Sequence, residues 1–188
     1  MAKLGVVVAS VREGRVGMAV AEWFLAVARK HGAFEVSIID LKELDLPMLA
    51  EPIHPRLKQY THPKTKAWSE TVAGTDAFVF VTPEYNYGSP PALVNALDHV
   101  YEEWNYKAAA FVSYGGQSGG IRSVQMTKLI LGALKMVPIA EAVAISFFTQ
   151  LIDAKSGAFK GSDSHEKAAI GMLTELGRWT GALASLRS

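Results

Sequence analysis

Short apolar runs alternate with longer segments of helical periodicity along the whole chain. Residues 77–81, Ala-Phe-Val-Phe-Val, contain no polar interruption, the pattern of a strand buried on both faces. Residues 4–9, 34–39, 108–113 and 139–145 read as four further strands. The periodicity predicts helices over about 18–31, where Val20, Trp23, Phe24 and Val27 share a face, and over 64–73, 90–103, 121–136 and 165–186. Gly32 and Gly74 are placed to stop the first two, and Ser89 stands as N-cap before Pro90 as first helical residue.

Strands separated by helices of this length imply right-handed crossovers and a parallel sheet. Five strands in this rhythm favour the order 2-1-3-4-5 over a six-stranded dinucleotide-binding sheet, all within one domain spanning 1–188. The switch point of that order lies between the first and third strands, and ligands bind beyond the strands' C-terminal ends there. Residues 40–63 break the rhythm: they carry four prolines, yet also Leu46, Met48, Leu49, Ile53, Leu57 and Tyr60. So apolar a segment is expected to pack on the surface near the site or against a neighbouring subunit. Residues 147–160, with Phe147 and Phe148, are expected to behave similarly.

Three loops at the expected switch point have unusual composition. The first carries Ser10, Arg12, Gly14, Arg15, Val16 and Gly17 just before a helix, whose free amide donors suit a phosphate. Its hydroxyl and guanidinium groups add donors, and its glycines let backbone approach. It is neither a Walker loop nor Gly-x-Gly-x-x-Gly, which disfavours a nucleoside triphosphate or a dinucleotide. The second loop holds Pro83, Glu84, Tyr85, Asn86 and Tyr87, suited to a flat hydrogen-bonding ligand. The third, Ser113, Tyr114, Gly115, Gly116, Gln117, Ser118, Gly119 and Gly120, has four glycines in six positions, enough for close contact with a planar group. Together they describe a monophosphate at one end and a planar heteroaromatic at the other.

The stretches ASVREGRVG at 9–17, TPEYNYGSPPALVNALDH at 82–99 and EEWNYKAAAFVSYGGQSGGIR at 102–122, with their spacing, resemble the NADPH-dependent FMN reductase family over nearly the whole chain. The resemblance implies a flavodoxin-like three-layer α/β/α fold and bound FMN. It implies hydride transfer from NADPH or NADH to a flavin, quinone, azo compound or metal oxyanion, in ping-pong fashion. By the same resemblance the third loop flanks the flavin ring and ribityl chain opposite residues 83–87, and the protein forms a homodimer or homotetramer. Ala9 and Ala108 stand where relatives often carry Gly and Pro. The remaining readings are a flavodoxin-like electron carrier, usually strongly acidic, and a non-catalytic sensor of a phosphorylated ligand.

Composition narrows the rest. A net charge of +1 without a basic cluster argues against nucleic acid. The absence of cysteine removes disulfides and thiolate nucleophiles. Met1-Ala2-Lys3 runs straight into the first strand, and no apolar run is long enough to span a bilayer, so a cytoplasmic protein is expected. The five histidines lack paired ligand spacing, and no metal site is expected. Asp98-His99 has no accompanying nucleophile elbow and reads as structural or interfacial. Glu84 is expected to orient a neighbour or face a partner subunit, and Arg122 to pair with a carboxylate. No side chain is nominated as a covalent or acid–base catalyst, since flavin chemistry places the hard step on the cofactor.

Overall fold

Strands Ala2–Val8 (β1), Phe34–Asp40 (β2), Ala77–Pro83 (β3), Ala108–Tyr114 (β4) and Val137–Ile145 (β5) form one parallel sheet in the order β2-β1-β3-β4-β5. This is the flavodoxin-like arrangement. The computed structural model describes residues 1–187. Among the described residues six α-helices connect or flank the strands: α1 (Gly17–His31), α2 (Leu41–Leu44), α3 (Pro63–Ala73), α4 (Pro91–Asp98), α5 (Ile121–Ala133) and α6 (Asp163–Leu183).

Strand alternation divides the core into two unlike halves. Leu4, Val6, Val8, Ala77, Val79, Val81, Ala108, Ala110 and Val112 face α1 and α6, so that side of the sheet is built from small and branched residues. Phe78, Phe80 and Phe111 face the other side, where they pack with Trp68, Trp104 and the inner faces of α3, α4 and α5. Trp104 is completely buried, stands edge-on to Phe78 at 4.9 Å between ring centres, and donates its Nε1 hydrogen to Leu97 O at 3.1 Å.

The sheet reaches further than the apolar runs suggest. β3 includes Thr82 and Pro83, and β4 includes Tyr114, because these residues still pair in register as Thr82 with Ser113 and Pro83 with Tyr114. The helix expected over 90–103 is shorter. Pro90 is its N-cap, Pro91 its first residue, and it ends at Asp98, with a separate 3-10 turn at Glu102–Trp104. The break lets the buried Glu103 carboxylate accept hydrogen bonds from the Tyr101 amide and from the Tyr60 and Ser69 hydroxyls. Ser89, expected as N-cap, is instead buried, with its hydroxyl 2.6 Å from Thr127 Oγ1 and donating to Ser123 O. α5 ends at Ala133, where Lys135 takes φ 55° and Met136 N bonds back to Leu131 O. Pro138 then falls in β5, an edge strand where the missing N–H is tolerated.

Residues 40–63 do pack on the surface. Asn95 in α4 holds them with both ends of its amide, accepting from Leu49 N at 2.9 Å and donating to Pro47 O at 2.8 Å. Glu51 ties the far end by accepting from the Thr61 and His62 amides.

Candidate functional site

Val8, Val81 and Val112 are register partners across β1, β3 and β4. The three loops that follow therefore leave the sheet side by side at its C-terminal edge. They enclose a cavity of about 850 Å³, within the range of small-molecule sites, roughly 300–1,000 Å³. Of the residues singled out from the sequence, Ser10, Arg12, Arg15, Val16, Pro83, Glu84, Tyr85, Asn86, Tyr114, Gly115 and Gly116 line it.

One end is the start of α1. Its N-cap, Val16, supplies no side-chain acceptor and its first turn has no carboxylate, so the first amides keep their donors free of a side-chain cap. Ser10 is 1% exposed, and its hydroxyl oxygen is buried without a hydrogen-bond partner. Gly17 is required beside it, because a Cβ there would stand 2.3 Å from Ser10 Oγ and 2.7 Å from the Tyr114 hydroxyl. Burial pushes the Tyr114 phenol up to about 12, so it is protonated at neutral pH. Among the described residues Arg12 forms no ion pair; its guanidinium lies 5.9 Å from the centre of the Tyr85 ring. Arg15 is differently placed: its guanidinium is paired with Asp40.

The other end lies between the second and third loops. Asn86 and Tyr87 have φ of 50° and 68°, and the Tyr85 and Gly88 backbones bond to each other in both directions, at 3.0 and 2.9 Å. This two-residue reversal keeps Tyr85 and Asn86 at the cavity and turns Tyr87 outward, 71% exposed, beneath the Arg122 guanidinium at 4.0 Å. Gly116 is open, since a Cβ there would meet nothing within 4 Å.

Gly119, Gly120 and Ser113 do not line the cavity; they shape the turn into α5. Both glycines have positive φ, and a Cβ at Gly120 would come within 2.9 Å of Tyr114 backbone atoms. Ser113 Oγ donates to Gly119 O at 2.7 Å. Glu84 and Arg122 pair with each other at 2.7 Å.

Gly14 of the first loop lines the cavity too, and so do Ser89, Pro91, Phe148 and Thr149, which the sequence reading did not place at the site. Phe148 packs edge-on to Tyr114, and Phe147 and Phe148 amides bond to Gly116 O and Gly115 O. The apolar pair Phe147-Phe148, out of place in a free loop, was the available signal. Asp98 and His99 take no part. His99 is buried with Nδ1 2.8 Å from Asn95 O, and burial raises the Asp98 carboxyl.

Residues 2–150 match the family described as NADPH-dependent FMN reductase. The chain belongs to that family. It is 43% identical to an NAD(P)H-dependent FMN reductase of Schizosaccharomyces pombe over 136 residues, 71% of this chain and 68% of the relative. It is 31% identical to an NAD(P)H-dependent FMN reductase of a Nectria species over 174 residues, 88% and 87% of the two chains. Among solved structures it is similar to the flavoenzyme NAD(P)H:acceptor oxidoreductase FerB of Paracoccus denitrificans, with a TM-score of 0.75, 20% identity and coverage of 97% and 98%. The protein is thus an NAD(P)H-dependent oxidoreductase of the FMN reductase type. Its cavity fits FMN on its own atoms. The unsatisfied Ser10 hydroxyl, the uncapped start of α1 and the unpaired Arg12 would receive a phosphate, and the open glycine wall would admit a planar ring.

Proposed function

We propose that the cavity holds FMN with its phosphate at the start of α1 and its ring between the second and third loops, for electron transfer from NAD(P)H to a small acceptor. The observation that carries this is the buried Ser10 hydroxyl left without a partner at an uncapped helix start. Such a group is costly unless a ligand satisfies it. Bound there, FMN supplies the reversible acceptance of a hydride, so that donor and acceptor, a flavin, quinone, azo compound or metal oxyanion, use one site in turn.

The chain's own residues bind and orient. Ser10, Arg12 and the first amides of α1 hold the phosphate, and Tyr114 offers its phenolic hydrogen beside them. Pro83, Tyr85, Asn86, Gly115 and Gly116 border the ring. Glu84 orients the third loop in this reading: burial would raise its carboxyl, but hydrogen bonds from Arg122 and Ser118 hold it below its usual range. Self-association as a dimer or tetramer is part of this reading, supported by Met48 and Leu57, 75% and 62% exposed on the segment that was expected to meet a neighbour.

Anaerobic addition of NADPH to the FMN-loaded protein tests the activity: the flavin absorbance is expected to bleach, and flavin that stays oxidised with both NADPH and NADH would refute it. Arg12→Ala tests the phosphate placement, with FMN binding expected to weaken by about 1.5–3 kcal/mol, the scale of a charge-assisted hydrogen bond. Unchanged FMN affinity would remove the phosphate from this loop.

A further inference from the structure

The loop after β1 carries two arginines whose situations differ. Arg15 Nη1 and Nη2 donate to Asp40 Oδ1 and Oδ2, each at 2.5 Å, and Nη1 also donates to Ser10 O at 2.7 Å. Both side chains are largely withdrawn from water, 13% and 8% exposed. Asp40 is itself fixed. It ends β2, caps α2 and accepts the Lys42 amide at 3.0 Å. Burial would raise its carboxyl, but the Arg15 and Lys42 hydrogen bonds hold it below its usual range, and it stays ionised at neutral pH. Arg12, by contrast, has no carboxylate partner among the described residues, only the Tyr85 ring.

A guanidinium paired through both prongs to a carboxylate presents little net charge to a further anion. Moving it onto a phosphate would strand Asp40 without its partner, and breaking half of a shielded pair is strongly unfavourable. The Arg15 hydrogen bond to Ser10 O has another consequence. It fixes the backbone of the one residue whose hydroxyl waits unsatisfied at the cavity end.

We propose that Asp40 is a positioning residue for phosphate recognition. It holds Arg15 as a strut behind the first loop, fixing Ser10 at the start of α1, while Arg12 supplies the uncompensated positive charge. This rests on the placement of the FMN phosphate given above. Outer partners that orient a liganding group in metal sites are worth on the order of 10–100-fold in affinity, and a similar scale is expected here.

The alternative, that Arg15 is itself a phosphate ligand restrained by Asp40, predicts the opposite sign. Full-length apoprotein would be titrated with FMN and with riboflavin, which lacks the phosphate, following flavin fluorescence. Asp40→Asn keeps an oxygen for the Lys42 amide but loses the charged pair. It is expected to weaken FMN binding about tenfold or more while leaving riboflavin binding unchanged. Arg15→Ala is expected to do the same, and the double variant to lose no more than either single one, because the two residues act as a unit.

Tighter FMN binding by Asp40→Asn would overturn the proposal in favour of a restrained Arg15. Equal weakening of both flavins would reduce Asp40 to a general structural role, and unchanged FMN binding would remove even that. If the wild-type protein bound both flavins equally, the phosphate placement itself would fail and the positioning role with it. If wild type favours FMN and Asp40→Asn keeps that preference undiminished, the positioning role alone fails.

Discussion

Glu84 and Arg122 join the second loop to the third. The carboxylate accepts from the Arg122 guanidinium at 2.7 Å through Oε1 and from the Arg122 amide at 3.0 Å through Oε2, where Ser118 Oγ also donates. Gly120, the N-cap of α5, has no side chain to offer, so Glu84 caps that helix from across the cavity wall. Glu84→Ala is expected to cost about 1–2 kcal/mol, the scale of a lost cap. Because the folded carboxyl titrates below its ordinary value of 4.5, this stabilisation is complete above that pH and fades as pH falls through the folded value. Denaturant unfolding of wild type and variant should show the gap narrowing on acidification below pH 4.5.

Gly17→Ala addresses the tightest approach in the site. The new methyl must displace Ser10 Oγ or the Tyr114 hydroxyl, neither of which ends a long flexible side chain. FMN affinity is expected to fall by at least about tenfold, or about 1.4 kcal/mol, measured by fluorescence titration. Unaltered affinity would mean that Ser10 and Tyr114 do not contact the ligand.

Lys107 is buried and donates to Val72 O and Ala73 O at the end of α3. Burial pushes its ammonium down from 10.5 to about 8. Between those values the unfolded chain still holds a proton that the folded chain has released, so this group makes stability rise with pH across that window. Below pH 8 both states are charged and the cost of burying the charge is felt in full. Comparison with Lys107→Met by denaturation at pH 8 and pH 10 should show the difference moving in the wild type's favour at the higher pH.

Asn95→Ala removes both hydrogen bonds that fasten Pro47 and Leu49 to α4. A cost of about 1–3 kcal/mol is expected from the backbone groups left unpaired. Amide exchange around residues 47–50 should accelerate while the strands keep their protection. Uniform acceleration across the sheet would show instead that the segment is integral to the core.

The sheet order and the meeting of three loops were legible because strand alternation and helix length constrain both directly. The short α4 was not. Val100, Tyr101 and Trp104 continue a helical stripe, and only the burial of Glu103 with Tyr60 and Ser69, far away in sequence, explains why the chain leaves the helix. Arg12 and Arg15, three positions apart in one loop, are likewise indistinguishable in the sequence. What separates them is Asp40, brought beside Arg15 by β1–β2 pairing. Phe148 and Thr149 reach the cavity from the segment joining β5 to α6, where apolar content signals packing but not its destination.

The three cavity loops begin at residues 9, 84 and 115, and none can be completed by its neighbours in sequence. During synthesis, the nascent chain has no flavin site until β4 and its glycine turn have emerged and paired beside β3. Long-range parallel pairing of this kind forms late and slowly. A flavin held across all three loops would therefore stabilise only chains in which β4 has already paired beside β3, by mass action.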